Sequence, residues 1–345
     1  AVGSLALAAN TTGAQNTAMG YSAMNVNTTG DNNTAMGFGA LDANTTADNN
    51  TAIGYAALGA NTTGTENVAI GAACLDSNTT ASYNTGVGYN VMEATTTGGS
   101  NTAMGRYAMA ANTTGNNNVA IGASALVANT TGSTNIAIGN YALDANTTAD
   151  DNVAIGYLSL SANTTGAANT AVGHATLDAA TTASHNTGIG NTALSDATTG
   201  SYNTALGSLA LKANTTAEGN TAVGYAAMTA NTTGNNNVAV GFGSLDANTT
   251  GTQNTAIGYA ALTASTTPSY NTAVGREAIK ACTTGERNTA IGYNAGSQVT
   301  TGNYNLFLGY DTGTDNVNGD RRFVIGQDFN GTTNNAVHIG ASGGH

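Results

Sequence analysis

A chain of 345 residues would ordinarily hold about two globular domains, yet only 8% of its residues are charged, Trp is absent, Pro occurs once and Gly 46 times. Asn, Thr, Ala and Gly dominate, and β-branched residues recur at fixed places, so the bias comes from repetition and not from disorder. The net charge of −12 opposes a phosphate backbone and argues against nucleic-acid partners; no apolar run approaches the about 18 residues of a spanning helix, so no membrane insertion is expected in this segment.

The chain opens at Ala1, part-way through a repeat and without an initiator Met, which suggests a processed product or fragment with any export signal upstream. A glycine then falls every seventeen residues without a slip, from Gly3 through Gly20, Gly37 and Gly54 to Gly326. An adjacent threonine pair keeps the same step from Thr11-Thr12 through Thr45-Thr46 to Thr300-Thr301. Loops tolerate insertions cheaply, so a period without insertions means that every turn of the unit is constrained.

One unit, numbered 1 to 17, runs from Asn50 to Glu66. Seventeen residues are too few for two stacked helices and suit one coil of a parallel β-solenoid, a β-roll of about 20 coils. The alternation predicts a first strand over positions 2 to 5 and a second near positions 9 to 11. Aliphatic position 4 (Ile53) and position 9 (Leu58) are expected in the core, with position 2, mostly Thr and sometimes Val, half-buried. Positions 3 and 5, Ala and Gly, are expected to form an outward face of small residues suited to close contact with other copies, with a trimer as the leading expectation. The unvarying Gly at position 5 requires positive φ or close backbone approach. Position 15, where Pro268 replaces Gly, does not require a left-handed residue. Asn at position 1 (Asn16, Asn33, Asn50) is expected to anchor a turn through its amide and to stack on the Asn of the next coil. Twenty coils would stack to roughly 95 Å at the strand spacing.

The pentapeptides Asn67-Val68-Ala69-Ile70-Gly71 and Asn118-Val119-Ala120-Ile121-Gly122 resemble the repeat of head domains in trimeric autotransporter adhesins, and are similar to repeats in fibre proteins of phages and large viruses. The resemblance covers Ala1 to about Gly326 and implies a left-handed β-roll, a homotrimeric fibre and surface attachment. The unit departs from the adhesin head in length, its extra residues lying around the Thr-Thr turn, and no coiled-coil stalk or anchor is read within these residues, which leaves a viral fibre as open an expectation as a cell-anchored adhesin.

Position 6 carries Tyr21, Phe38, Tyr55, Tyr89, Tyr157, Tyr225, Phe242, Tyr259, Tyr293 and Tyr310, with Arg106, Asn140, His174 and Arg276 among them. In register these form a solvent-reaching stripe, either an edge ladder or a contact for host-surface glycan or protein. Position 10 collects acids such as Asp42, Asp76, Asp144 and Asp246, expected as solvated surface charge because the calcium-roll nonapeptide is absent. The Asn-Thr-Thr triplets match the N-glycosylation pattern, and their ranks also suggest an ice-binding solenoid as a minor alternative. Cys74 and Cys282 are about twelve coils apart and cannot pair within one chain; both are expected to be apolar fillers. His174, His185, His338 and His345 are scattered and no catalytic or metal motif occurs, so no enzyme activity, cofactor or metal is expected.

The seventeen-residue repeat is assigned to residues 1–309. Residues 310–345, where the doublet is lost and Asp315, Asp320, Arg321 and Arg322 gather, are assigned to a cap that shields the last layer, with His338-Ile339-Gly340 as one degenerate coil and a frayed end at 341–345. The expected role is an extracellular fibre segment, at a cell or virion surface, that attaches to a host-surface glycan or protein. The alternative is an architectural filament or sheath subunit polymerising end to end.

Overall fold

The computed structural model describes residues 1–314, 317–331 and 333–341, so Asp315 of the expected cap, the tail beyond residue 341 and His345 lie outside the described residues. The fold is a parallel β-solenoid of about 19–20 coils with a 17-residue repeat, and no helix occurs among the described residues. The chain divides into two compact units, residues 1–169 and 170–345.

Each regular coil contributes one three-residue strand at positions 2 to 4. In the first unit these run from Thr17–Met19 to Val153–Ile155, paired parallel and in register, with Thr17 beside Thr34 and Met19 beside Met36. The second unit repeats the arrangement from Thr170–Val172 to Leu306–Leu308. It continues with the longer strands Phe323–Gln327 and Val337–Ala341, where Gly326 lies beside Gly340 in the fourteen-residue final coil expected from the sequence.

The strand faces the opposite way from the one expected. Ala at position 3 is fully buried in coil after coil (Ala35, Ala52, Ala69), whereas position 4 stands in solvent, as at Met19, Ile70 and Met104. The physical cause is the alternation itself. The buried Asn at position 1 needs an inward direction, so position 3 follows it inward and positions 2 and 4 must point out. The interior is then filled from the other wall by position 9, where Leu41, Leu58 and Leu75 are fully buried as expected. A small residue at position 3, Ala in most coils, leaves room for those leucines. The small-residue face is therefore the inside of the coil and cannot be a surface for other copies.

The second strand is also absent. Positions 7 and 9 adopt the left-handed conformation in every regular coil, as at Ala56 (φ 53°) and Leu58 (φ 51°), which turns the chain where a strand would run straight. Each left-handed residue costs on the order of 1 kcal/mol. Bonds to neighbouring coils offset this: the Leu58 N–H donates to the Cys74 carbonyl and the Ala56 N–H to that of Phe38.

Two asparagine ladders close the remaining wall. Asn67 donates its backbone N–H and its side-chain amide to Asn50 Oδ1, at 3.0 and 3.2 Å, as the turn-anchor expectation requires. The Asn50 amide also donates to the Gly64 carbonyl at 2.9 Å, and that oxygen accepts a second bond from Asn61 at position 12. Position 15 is thus clamped from both sides without positive φ, which explains how Pro268 fits there. Gly54 meets both conditions set for position 5. Its φ is +142°, and a Cβ would overlap the carbonyl of Gly71.

Candidate functional site

With the core inverted, the outward strand face becomes the candidate surface. Positions 2 and 4 carry Thr, Val, Ile, Met or Leu in every regular coil, and no charged residue appears at either. Val68 and Ile70, Val119 and Ile121, and Thr255 and Ile257 illustrate the pairing; Ile70 is 37% and Ile257 39% exposed. Side chains of one kind stack at the strand spacing of ~4.8 Å, giving two straight ranks of methyl and hydroxyl groups.

Two margins border this face. The position 6 stripe lies at the strand's exit, and its rings stack on one another. Tyr21, Phe38 and Tyr55 follow at centroid separations of 5.3 and 5.5 Å, and Tyr225, Phe242 and Tyr259 at 5.2 and 5.5 Å, with near-parallel planes. Tyr293 and Tyr310 stack at 5.0 Å. Tyr89 instead meets Tyr107 edge-on, and Tyr157 meets Tyr141 likewise, both partners coming from position 7. Stacked rings spend their faces on each other and offer solvent their edges and hydroxyls. A sugar ring, which packs on an aromatic face, finds no open face along the interior of such a stack.

The other margin, position 17, was not singled out in the sequence. It carries Tyr270, Arg287, Tyr304 and Arg321 at the strand's entrance, joined by cation–π contacts: the Arg287 guanidinium is 5.0 Å from the Tyr270 ring and 5.4 Å from that of Tyr304, and Arg321 lies 5.5 Å from Tyr304. Across the face, Arg276 lies between Tyr259 and Tyr293 at 5.4 and 5.5 Å. The seventeen-residue spacing of these residues was the available signal, diluted by Ser, Asn and Gln at the same position elsewhere.

The Thr-Thr doublet sits in a turn. The first hydroxyl is engaged, Thr28 Oγ1 donating to the Thr45 carbonyl at 3.0 Å and Thr62 Oγ1 to that of Thr79, while the second threonine, such as Thr46, is exposed. The asparagines of the triplets, Asn44 and Asn61 among them, are fully buried except for Asn10 in the first coil, so the folded chain withholds the buried amides from glycosylation.

Position 10 departs from the solvated charge expected. Asp76, Asp144, Asp178 and Asp246 are half-buried, and burial pushes their carboxyls above the usual range, helped at Asp76 by the charge of Glu93. Burial pushes the Cys74 thiol up to about 12 and the Cys282 thiol up to about 11. Cys282 replaces a ladder asparagine and bonds the Gly285 carbonyl at 3.2 Å. Among the described residues no group of three His, Cys, Asp or Glu could hold a metal ion, and no helix is long and apolar enough to cross a membrane. A small polar cavity of about 100 Å³ lies among Ser297, Gln298, Asp311, Thr312, Asp328 and Asn330. No protein-family model, curated protein or solved structure matches the chain.

Proposed function

We propose that the chain is a non-enzymatic extracellular fibre segment for surface attachment, an adhesin head or a viral receptor-binding fibre, built of left-handed coils and assembled as a homotrimer through its outer strand face. The observation that carries this reading is that face. It is regular and half-exposed, and it lacks charge in a chain that places Asp, Glu, Lys and Arg at several other surface positions. Exposed apolar patches beyond a few hundred Å² mark interaction surfaces. A uniform period at the strand spacing is matched along its length by another surface of the same period, which a second copy provides. Handedness and the number of copies follow the resemblance to adhesin heads. The ring faces at the open ends of the first unit's position 6 stacks remain available to a host glycan or protein.

Solution mass by light scattering over a wide dilution range tests the assembly. A discrete species of about three chains supports it, and a monomer at every concentration refutes it. Binding to arrayed glycans or host cells by that species tests attachment, and its absence across both would return the chain to a purely architectural role.

A further inference from the structure

On the two margins of the second unit, Tyr and Arg occupy opposite ends of the same strand in two successive coils. The strand Thr272–Val274 lies between Tyr270 and Arg276, Thr289–Ile291 between Arg287 and Tyr293, and Leu306–Leu308 between Tyr304 and Tyr310. The two ends of one strand are six residues apart (276 − 270), or about 20 Å in extended chain, so they do not meet within one copy. Each keeps to its own margin, Arg276 between Tyr259 and Tyr293 and Arg287 between Tyr270 and Tyr304. Even so, where one end of a strand carries Arg the other carries Tyr, in two successive coils and with the order reversed between them. The matching is confined to these coils: Gln15 and Tyr21 flank one upstream strand, Ser100 and Arg106 another, and downstream Arg321 has Gln327 at the far end of its strand.

We infer that these margins form a lock between copies of this chain, setting their register rung against rung; the inference rests on the strand-face association proposed above. Copies arranged around an axis parallel to the stack bring the exit margin of one against the entrance margin of the next. In register, Arg276 meets the neighbouring copy's Tyr270, Tyr293 meets its Arg287, and Tyr310 meets its Tyr304. Both faces of each guanidinium are covered by its own tyrosines, and part of each edge pairs with a carboxylate, Arg276 with Glu277 at 3.1 Å and Arg287 with Glu286 at 3.7 Å. The remaining N–H groups of the five are what each presents, and a phenolic oxygen accepts from them. Arg287 already makes such a bond within its own margin, donating from Nη1 to the Tyr304 hydroxyl at 3.0 Å. The next residues outward also avoid conflict, with Glu277 opposite Ser269, Asn294 opposite Glu286 and Asp311 opposite Asn303.

Other arrangements are penalised. A slip of one coil in one direction sets Arg276 against Arg287 and Glu277 against Glu286, and in the other direction sets Asp311 against Glu286, like charge on like charge. Two exit margins facing each other would set Arg276 against its own copy. The ring contacts hold these arginines in place before association, so little side-chain entropy is lost when copies meet.

Charge reversal tests the lock in the full chain. Arg276→Glu sets a carboxylate against the neighbouring copy's Tyr270 and should weaken association about ten-fold on dilution, whereas Arg106→Glu, which faces Ser100 in register, should leave it unchanged. Unchanged association of Arg276→Glu, or equal weakening by the two variants, would overturn the lock alone. Stronger association of Arg276→Glu would also overturn it, because only in the slipped arrangement does the new carboxylate meet Arg287. A monomeric wild type would overturn the association beneath it.

Discussion

The inward and outward ladders of this solenoid obey different rules. Inside, each position accepts almost one residue: Asn at position 1, Ala at 3, Gly at 5 and Leu or Met at 9, with Asn at 12 in most coils. Outside, positions 6 and 17 accept Tyr, Arg, His, Asn or Ser, while positions 2 and 4 vary only among uncharged residues of similar shape. Invariance in this chain therefore tracks how little room and how many hydrogen bonds a site has, and hydrophobicity is a poor guide to what is buried. A strand whose aliphatic residues face water and whose alanines face inward has the polarity of an element awaiting a partner.

The sharpest way to break the inner rule is Gly54→Ala. The new Cβ would meet the Gly71 carbonyl at a φ that L-residues rarely adopt, and a loss of about 3 kcal/mol or more is expected in denaturant unfolding of the first unit. An unchanged midpoint would show that the close backbone approach is absent. Next comes Asn118→Ala. Its Oδ1 accepts from the Asn135 backbone N–H at 2.9 Å and from the Asn135 amide at 3.2 Å, and its own amide donates to the Gly132 carbonyl. Leaving these buried groups unpaired should cost about 2–3 kcal/mol.

Gly86 sharpens the comparison by showing an inner site that has changed with its neighbour. Where most coils have Ala at position 3, Gly86 lies beside Cys74 of the preceding coil, and a Cβ there would come within 2.6 Å of the sulfur. Gly188 stands in the same relation to Thr176, at 2.8 Å. Gly86→Ala alone should lose about 1–3 kcal/mol, and adding Cys74→Ala should restore most of it. Additive losses in that cycle would mean that the two sites do not share volume. The smallest effect concerns acidity. The carboxyls of Asp76, Asp144, Asp178 and Asp246 hold their protons to higher pH when folded than when unfolded. Their contribution is therefore present below the ordinary Asp pKa and is lost as pH rises through the raised values. Stability should fall modestly between acid and neutral pH, and replacing all four by Asn should flatten that slope.

The period, the turn-anchoring asparagines and the demand at position 5 were legible in the sequence, because each is a local rule repeated until it cannot be mistaken. The direction of the strand was not. Ile53 and Ile70 look like core residues by side chain alone, and only the buried amide of Asn50 fixes which way the alternation runs. The left-handed stretch was hidden for a related reason: Leu58 and Ala56 carry no signal for positive φ, and the coil imposes it through bonds to its neighbours. Of the candidate surface, the position 6 stripe could be read directly. The matching margin at position 17 became visible only when the strand placed Tyr270 and Arg276 at opposite ends of one rung.

The fit between Gly86 and Cys74 also bears on how such a gene can change. Seventeen codons encode one coil, and unequal recombination that adds or drops a whole coil would preserve every backbone bond of the stack. A crossover that separated the coil of Cys74 from the coil of Gly86 would instead set that sulfur against an alanine methyl. Coils of this chain are thus interchangeable in length but not in neighbour, and a few paired substitutions decide which rearrangements of the array a lineage can keep.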